Sequence, residues 1–468
     1  MTGNDTIAAV STAPGEGGIG IVRVSGERAA VILGKIFAAP GSEKTGVTGF
    51  ADKRMYYGHI IDSSSGERVD EVLAVYMKGP KSYTGEDVCE IQCHGGGVPL
   101  RKILELVLRQ GAAPAGPGEF TKRAFLNGRI DLAQAGAVID LIRSKTERGY
   151  RSAKEQAEGR LSERVREVRE ILLGALAGLA ANIDYPEYYE KDNGFAGGLA
   201  PAAEKIERLL EGADAGRIVR DGVRVVIIGK PNTGKSSLFN ALVRENAAIV
   251  SAAPGTTRDS IEIWIDVAGI PVLLSDTAGI RESEGDIEAL GVERSKEQYR
   301  KADLAIFMLD GSEALSDEDL EIAKMLDPEK KLIVAINKSD LAQAFSGENV
   351  AEILPFDFDE RNVVQTSLIG DESCGEAVSQ IEKVLGVIAL GGIFAGGSLL
   401  VTKAGHKLLL EKALSEIREA GKAIAAGEPP EFAEVWLRAA WNSLGEITGE
   451  TATDEIIGRV FEEFCVGK

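Results

Sequence analysis

A loop of eight residues has the composition and spacing of a phosphate-binding loop. It reads Gly-Lys-Pro-Asn-Thr-Gly-Lys-Ser and runs from Gly229 to Ser236. An apolar run at 224–228 precedes it and a helical pattern at 236–243 follows it, which is the context that this motif requires. Glycines let the backbone N–H groups point at the phosphates, and the helix N-terminus adds its positive end. We expect Lys235 to reach the β- and γ-phosphates and the Ser236 hydroxyl to bind Mg²⁺.

Two later segments have the groups that Mg²⁺ and a γ-phosphate need. Asp276-Thr-Ala-Gly279 follows an apolar run. Its carboxylate suits a water bound to the metal, and the Gly279 N–H suits the γ-phosphate. The loop between the two motifs contains Thr256-Thr257-Arg-Asp. We assign the Thr257 hydroxyl as the Mg²⁺ ligand that accompanies Ser236.

The motif from Asn337 to Asp340 predicts that the base is guanine. The Asp340 carboxylate can accept from both N1–H and the exocyclic amine of guanine, whereas adenine leaves it unpaired at a cost. Thr366-Ser367-Leu368 departs from the usual Ser-Ala-Lys of the last base-contacting turn, so its predicted contacts come from backbone groups. The residues predicted to bind GTP are Gly229, Asn232, Thr233, Gly234, Lys235, Ser236, Ser237, Thr256, Thr257, Asp276, Gly279, Asn337, Lys338, Asp340, Thr366, Ser367 and Leu368.

These motifs leave open which group positions the attacking water. Ile280 follows the Asp-Thr-Ala-Gly motif, at the point where many regulatory GTPases have a water-orienting Gln. Four carboxylates follow in sequence, and each is either a water-positioning group or a solvated loop charge. They are Glu282, Glu284, Asp286 and Glu288.

Composition indicates a globular protein that is not a general binder of nucleic acid. The 468 residues are 44% hydrophobic and 27% charged, as in folded domains. A formal net charge of −20 repels nucleic acid on average, so RNA would meet a local patch or a partner protein. Four sparse cysteines and a start without a signal peptide predict a cytoplasmic protein.

Residues 384–401 form a charge-free stretch whose length is near that of a membrane span. Glycines and a serine reduce its apolar content. We therefore expect a Gly-rich hinge between domains and no membrane contact.

The pattern of residues divides the chain into four segments. Residues 1–120 mix β-branched runs with turn residues and predict a small α+β domain. Residues 121–217 and 381–468 have helical spacing and are predicted to form one helical domain. Residues 218–380 alternate apolar runs with helical segments, which is typical of a parallel sheet wound with helices. The predicted fold is therefore multidomain, with an α/β GTPase domain inserted into a helical domain.

An arginine-rich segment spans residues 143–170, with nine Lys or Arg against six Glu. It is either an RNA-facing helix in an otherwise acidic chain or a solvated helix with Glu–Arg pairs. We favour the second interpretation.

The whole chain resembles the MnmE (TrmE) family of tRNA modification GTPases. The resemblance rests on several segments outside the nucleotide motifs, which together and in this order are specific. They are Asn4–Ala9, Pro14–Gly26, Ser82–Glu90 with His94–Gly96, Pro117–Asn127, and the end Phe464-Cys-Val-Gly-Lys468.

The resemblance implies that the first domain binds a tetrahydrofolate one-carbon carrier, as the 5-formyl or methylene derivative, and forms a constitutive homodimer. Matching positions nominate Arg23, Glu90, Arg129 and Lys468 for folate. The chemistry agrees, because Glu90 can accept from pterin N–H groups and basic side chains suit the folate carboxylates. Arg23 is alternatively a surface cation that covers the sheet.

The resemblance also implies a potassium-activated GTPase without an arginine finger. Asn232 matches the potassium ligand, and groups of Ser251, Ala253 and Thr256 are expected to join it. Potassium there would neutralise charge that develops on the β–γ bridge.

Further catalytic groups follow from the same resemblance. Glu288 matches the family's catalytic glutamate and would act on the nucleophile through a bridging water. Arg281 would help to hold that loop, and Lys235 is counted among the catalytic residues.

Cysteine chemistry is left open by the sequence. Cys465 is either a reactive thiol near the folate or a buried thiol that seats the tail. Cys89 and Cys93 with His94 could indicate zinc, but alternation along a strand places both cysteines on the apolar face with Ile91, and no fourth ligand is near.

The function that the resemblance implies is modification of C5 of the wobble uridine of tRNA with an aminomethyl or carboxymethylaminomethyl group. A flavin-containing partner of the MnmG (GidA) type would supply FAD and form a heterotetramer or larger complex with the homodimer. Two rivals remain: a GTP-switched ribosome-assembly factor that binds RNA, and a GTPase that remodels membranes.

Overall fold

The structure, a computed structural model, describes most of the chain in several stretches. Residues fall into two compact units. The first comprises Met1–Ile139, Gln156–Arg169 and Trp441–Lys468, and the second comprises Asp140–Glu155 and Glu170–Ala440. The described residues are 5–42, 44–184, 199–246, 262–275, 296–345, 350, 354–390 and 401–468.

A seven-stranded sheet forms the centre of the first unit. Its strands are β1 Ile7–Val10, β2 Gly17–Ser25, β3 Phe37–Ala38, β4 Met55–Ile61, β5 Arg68–Met77, β6 Val88–Gly95 and β7 Ala113–Pro114. Their order is β3-β4-β5-β6-β2-β1-β7. All neighbours are antiparallel except β1 and β7. With its helices, this sheet is the α+β domain that the sequence predicts.

Two helices, α1 (Ala29–Ile36) and α2 (Gly97–Arg109), cover one face of this sheet. The alternation predicted for β6 is confirmed, because Cys89, Ile91 and Cys93 are buried in the core beneath these helices. The residues between them point to the opposite face.

The opposite face carries apolar side chains that are exposed. Tyr57 of β4 pairs with Leu73 of β5, and directly opposed residues lie on one face. Tyr57 is 49% exposed, Leu73 41% and Ile19 of β2 66%. Arg23 and its opposite residue Glu90 lie on this same face.

Further helices follow the first sheet. They are α3 Glu119–Leu126, α4 Leu132–Arg143, α5 Glu147–Ala157, α6 Arg160–Asp184, α7 Leu199–Leu210 and α8 Ala213–Asp221. In the arginine-rich segment, Arg151 pairs with Glu147 at 2.9 Å and Arg164 with Glu167 at 3.0 Å, all on exposed or half-buried side chains. These two pairs fit solvated helices, whereas Arg169 of the same segment is buried and stacks on Trp441.

A six-stranded sheet forms the centre of the second unit. Its strands are β8 Val223–Ile228, β9 Glu262–Val267, β10 Ile270–Ser275, β11 Leu304–Asp310, β12 Lys331–Asn337 and β13 Val363–Gln365. Their order is β13-β12-β11-β8-β10-β9, parallel except for the edge pair β9–β10. Its helices are α9 Lys235–Glu245, α10 Asp317–Lys324 and α11 Asp371–Leu390, with a short 3₁₀ turn at Glu360–Asn362.

Both faces of this sheet are packed. Val225 and Ile227 of β8 belong to one apolar cluster, and Val226 and Ile228 belong to another. Strands that are buried on both faces read as continuous apolar runs, which is why the sequence shows them clearly. The carboxyl ends of parallel strands lie at one edge, where ligands bind in such sheets.

The charge-free stretch is not a hinge throughout. Residues 384–390 complete α11, and Leu385, Ala389 and Leu390 are buried in the core. Residues 391–400 lie outside the described part of the chain. Helices α12 Ala404–Ala425, α13 Pro430–Thr448 and α14 Asp454–Glu462 follow. Among the described residues, no helix is long and apolar enough to cross a membrane.

Candidate functional site

The phosphate loop joins the end of β8 to the start of α9, as its sequence predicts. Gly229 has φ +150° and Gly234 has φ +103°. A Cβ atom at Gly229 would collide with the carbonyl of Met308, and one at Gly234 would collide with the side chain of Asn337. Both positions therefore require glycine for close approach as well as for backbone conformation.

Inside the loop, the carbonyl of Lys230 accepts two hydrogen bonds. The Lys235 ammonium donates to it at 2.7 Å, and the Thr233 hydroxyl donates at 3.0 Å. Lys235 is thereby held over the loop from its place in the first turn of α9. Asn232, with φ +63°, and Ser236 are exposed, so their side-chain oxygens are open to ligands.

The base motif contacts the phosphate loop directly. The side-chain amide of Asn337, at the end of β12, donates to the Thr233 carbonyl at 2.8 Å and is buried. The Thr366 hydroxyl donates to Asn337 Oδ1 at 3.2 Å. One asparagine thus ties the predicted base site to the phosphate loop and to the turn that follows β13.

The predicted base-contacting turn lies beside Asp340. The Ser367 hydroxyl donates to Asp340 Oδ1 at 2.8 Å, and the Ser339 N–H donates to the Thr366 carbonyl at 3.0 Å. Leu368 packs against the apolar core and anchors the turn. The structure therefore brings together the two segments that the sequence places around guanine.

Asp310 is a residue of this site that sequence reasoning missed. It ends β11, is buried, and forms an ion pair with Lys338, which has φ +63°. Burial alone raises the pKa of Asp310, but hydrogen bonds from Lys338 and Ser312 bring it below the usual value. The charged pair holds the base motif at the edge of the sheet. The signal in the sequence is an aspartate directly after a buried apolar run.

Several predicted residues lie outside the described part of the chain. They are Ser251, Ala253, Thr256, Thr257, Asp276, Gly279, Arg281 and Glu288. Their roles as Mg²⁺, potassium, phosphate and catalytic residues stay predictions.

A second cluster lies in the first unit, where Arg23 meets Glu90. Arg23 Nε and Nη2 both lie 2.9 Å from Glu90 Oε1, across the register of β2 and β6. Arg23 Nη1 also donates to the Gly467 carbonyl at 3.4 Å. The second oxygen of Glu90 accepts no hydrogen bond from the described residues.

The last residues of the chain dock beside this pair. Pro117 and Val466 form an isolated antiparallel bridge, and the Phe120 N–H donates to the Lys468 carbonyl at 3.1 Å. Gly467 has φ +97°, and a Cβ there would collide with the Val10 carbonyl. The tail therefore fits only because residue 467 is glycine.

Tyr83 connects Arg129 to the cluster and was also missed by sequence reasoning. The Arg23 guanidinium lies 5.4 Å from the Tyr83 ring centre, and that of Arg129 lies 5.2 Å from it. Arg129 Nη1 donates to the Tyr83 carbonyl. Arg129 also lines a cavity of about 420 Å³ together with Asp131 and Arg166. Cys465, two residues before Gly467, is exposed.

The described residues contain no group of three or more His, Cys, Asp or Glu side chains that could hold a metal ion. Cys89 and Cys93 lie inside the core of the first unit, and His94 binds the Asp70 carboxylate at 2.7 Å instead. These contacts are those of a packed strand.

Comparisons with known proteins identify the family. One family model, the GTP-binding protein TrmE N-terminus, matches residues 6–129. A second, the MnmE helical domain, matches residues 132–465. The tRNA modification GTPase MnmE of Alkaliphilus oremlandii is 49% identical over 99% of both chains. This chain belongs to the MnmE family.

Other relatives agree over the same length. The tRNA modification GTPase MnmE of Geobacillus thermodenitrificans is 46% identical over 100% of both chains. That of Clostridioides difficile is 43% identical over 99% of both chains. This chain is thus a tRNA modification GTPase and a GTP hydrolase, and nucleotide and Mg²⁺ binding follow from that membership.

Proposed function

We propose that this chain is a potassium-activated GTPase that acts with an FAD-containing partner and a tetrahydrofolate carrier. Together they would attach an aminomethyl or carboxymethylaminomethyl group to C5 of the wobble uridine of tRNA. The enzyme would act in the cytoplasm as a homodimer, within a complex with an MnmG-type partner. The observation that carries the proposal is the coexistence in one chain of an assembled nucleotide site and a separate cluster around Arg23 and Glu90.

The nucleotide site would bind GTP with Mg²⁺. Lys235 would contact the β- and γ-phosphates, Ser236 and Thr257 would bind the metal, and Asp340 would accept from guanine. The contacts from Asn337 to the phosphate loop support this assignment, because they fix the distance between base and phosphate subsites. GTP hydrolysis follows from family membership, and these residues would position GTP and Mg²⁺ for it.

Asn232 would bind potassium beside the phosphates. Its exposed side chain and left-handed backbone support a carbonyl oxygen that is open to a cation. Groups of Ser251, Ala253 and Thr256 would complete the set. Glu288 would activate the nucleophile through a water, and Arg281 would hold that loop.

Folate would bind at the Arg23–Glu90 cluster. The second Glu90 oxygen is available for a pterin N–H, and Arg23, Arg129 and Lys468 would attract the folate carboxylates. When bound, the carrier would supply the one-carbon unit, and the chain's own residues would bind and orient it. Cys465 is exposed and belongs to the tail that would help to shape this site.

The exposed face of the first sheet supports the homodimer. Tyr57, Leu73 and Ile19 lie on the same face as the Arg23–Glu90 pair. An exposed apolar face on a sheet marks an interaction surface. Dimerisation there would bring two folate clusters near one another.

Binding of 5-formyltetrahydrofolate to the full-length protein tests the proposal against a ribosome-assembly factor. We expect saturable binding by calorimetry, lost in Glu90→Gln. Failure of the intact protein to bind the folate would contradict it. Glu90→Gln should keep GTP hydrolysis within about twofold, because the two clusters belong to different units.

Hydrolysis in potassium and in sodium tests the cation assignment. We expect sodium to lower the rate strongly and Asn232→Ala to abolish the difference. Equal rates of the parent protein in both salts would rule out the potassium site. Glu288→Ala should lower kcat and leave GTP affinity nearly unchanged, since it would act only on the nucleophile.

A further inference from the structure

Lys230, the second residue of the phosphate loop, reaches a charged cluster at the start of α10. Its Nζ lies 3.0 Å from Asp319 Oδ2 and 3.7 Å from Glu313 Oε2. The Lys230 side chain is 13% exposed and that of Asp319 only 2%. A buried ion pair thus joins the loop to a helix more than eighty residues later in the chain.

The helix holds the Asp319 carboxylate in place. Asp319 Oδ2 accepts from the Ser316 N–H at 2.9 Å and from the Ser316 hydroxyl at 2.7 Å. The Ser316 hydroxyl accepts in turn from the Asp319 N–H at 3.4 Å, which completes a capping box. Asp319 Oδ1 is buried and has no hydrogen-bond partner among the residues that the structure describes. One oxygen therefore both caps the helix and binds Lys230.

The main chain of Lys230 makes separate hydrogen bonds within the same loop. Its carbonyl accepts from the Lys235 ammonium at 2.7 Å and from the Thr233 hydroxyl at 3.0 Å. Lys230 therefore makes two contacts: its side chain binds Asp319 of α10, and its carbonyl orients Lys235. A shift of Lys230 would move Lys235 with it.

The ion pair favours the charged form of Lys230. Burial lowers the pKa of Lys230, but the hydrogen bond and charge of Asp319 outweigh it, so the pKa lies above its ordinary value. Removing one partner would leave the other charge buried and unpaired, which destabilises a protein strongly. Removing both partners avoids that penalty and also removes the anchor.

We propose that Lys230 and Asp319 are positioning residues for GTP hydrolysis. The pair fixes the Lys230 carbonyl and so places the Lys235 ammonium at the phosphates, while the Lys230 ammonium does not touch the nucleotide. The proposal rests on the phosphate contact proposed above for Lys235.

Four variants of the full-length protein separate positioning from folding. Asp319→Asn keeps the cap, because its amide oxygen can replace Oδ2 while its NH₂ takes the place of the unpartnered Oδ1. Lys230→Met removes the ammonium, Lys230→Arg keeps the charge, and Lys230→Met with Asp319→Asn removes both charges. Lys301→Met is the matched control, since it breaks an exposed lysine pair with Glu297 in the same unit.

The readouts are kcat and KM for GTP, the affinity for GDP, and Tm. We expect Lys230→Met and Asp319→Asn each to lower kcat about tenfold, as small misplacements of catalytic groups do. GDP affinity should change less than about threefold. The double variant should recover the Tm that the single variants lose and keep their low kcat. Lys230→Arg and Lys301→Met should stay close to the parent rate.

Three results would overturn the proposal. A double variant that regains kcat along with Tm would show that the pair only stabilises the fold. A loss of GDP affinity in Lys230→Met but not in Asp319→Asn would place the Lys230 ammonium on the phosphates. Rates for all four variants within twofold of Lys301→Met would show that the anchor does not matter. Lys235→Ala serves as the reference, because an unimpaired rate there would instead refute the role of Lys235.

Discussion

The Asn337 side chain connects three segments of the nucleotide site. Its amide contacts the carbonyl of Thr233, 104 residues earlier, and accepts from the hydroxyl of Thr366, 29 residues later. The first asparagine of a base motif is often read as a base contact from sequence alone. The structure gives it a different immediate role, because its buried hydrogen bonds lock three segments together. Asp340 stays the side chain that is predicted to contact guanine.

Asp340→Asn should change the base preference from guanine to xanthine. The carboxylate accepts from two guanine donors, whereas an amide presents a donor that suits the 2-oxo group of xanthine. We expect GTP affinity to fall at least about a hundredfold and XTP binding to appear. Competition between the two nucleotides measures the change. Unchanged preference would remove Asp340 from the base subsite. Asp327→Asn, on an exposed loop of the same unit, is the matched control.

The four cysteines should differ in reactivity. Burial raises the pKa of Cys93 to about 11 and also raises that of Cys89, so both are thiols at neutral pH. Cys465 is exposed and Cys374 is half-buried. Titration with a disulfide reagent at pH 8 should show one fast thiol, lost in Cys465→Ser, with Cys89 and Cys93 reacting only after unfolding. Fast reaction of all four thiols in the native protein would contradict the packing of β6.

At the scale of elements, the two sites are built by different means. The nucleotide site gathers at the carboxyl edge of a parallel sheet, where β8, β11 and β12 end in Ile228, Asp310 and Asn337. The Arg23–Glu90 cluster instead needs the tail to return from the far end of the chain and pair with residues 117–120. The first arrangement follows from sheet topology. The Arg23–Glu90 cluster depends on the docked C-terminal tail, so a substitution in the tail can disrupt it selectively.

Gly467→Ala should disrupt the tail and spare hydrolysis. The added Cβ would collide with the Val10 carbonyl, and the left-handed φ adds strain. We expect folate affinity to fall at least about tenfold while kcat for GTP stays within about twofold. Calorimetry and a phosphate-release assay measure the two effects.

Gly427→Ala is the control for Gly467→Ala. It has a similar left-handed φ of +72°, but a Cβ there would meet open space. Gly427→Ala should therefore introduce backbone strain without a steric clash and leave folate binding intact. Equal effects of the two substitutions would mean that tail docking does not shape the folate site.

At the scale of the whole molecule, net charge and an exposed apolar face support the proposed homodimer and partner complex. The net charge of −20 disfavours tRNA binding over most of the protein surface. This agrees with a partner protein that makes much of the contact with tRNA. The first sheet leaves Tyr57, Leu73 and Ile19 exposed on one face. The same face carries the Arg23–Glu90 pair. Assembly and folate binding are therefore expected to be coupled.

Leu73→Glu should dissociate the proposed homodimer. If Leu73 is buried in the proposed dimer contact, a carboxylate there would be costly to desolvate and would have no partner. Light scattering on the eluted full-length protein should report a monomer, while the parent protein elutes at twice the chain mass. Val31→Glu, on the exposed side of α1, is the control and should remain a dimer. A dimeric Leu73→Glu would exclude this face as the interface.

Much of the fold could be predicted from sequence because its signals are local. The apolar runs that became β8, β10, β11 and β12 are continuous since both faces are buried. The phosphate loop, the base motif and the alternation of Cys89, Ile91 and Cys93 follow equally local rules. The hinge predicted at residues 384–401 was wrong in its first part, because packing of Leu385 and Leu390 favours helix over the local glycine signal.

By itself, the sequence determined the chemistry of the nucleotide motifs, the fold classes and the resemblance to a family, since these depend on residue types and short spacings. Only the tertiary structure decided that Lys230 is anchored on Asp319, that Lys338 pairs with Asp310, and that the tail docks beside Arg23. The reason is physical. Each of these contacts joins residues distant in sequence, and burial makes each one depend on the packing of the elements that hold its two ends.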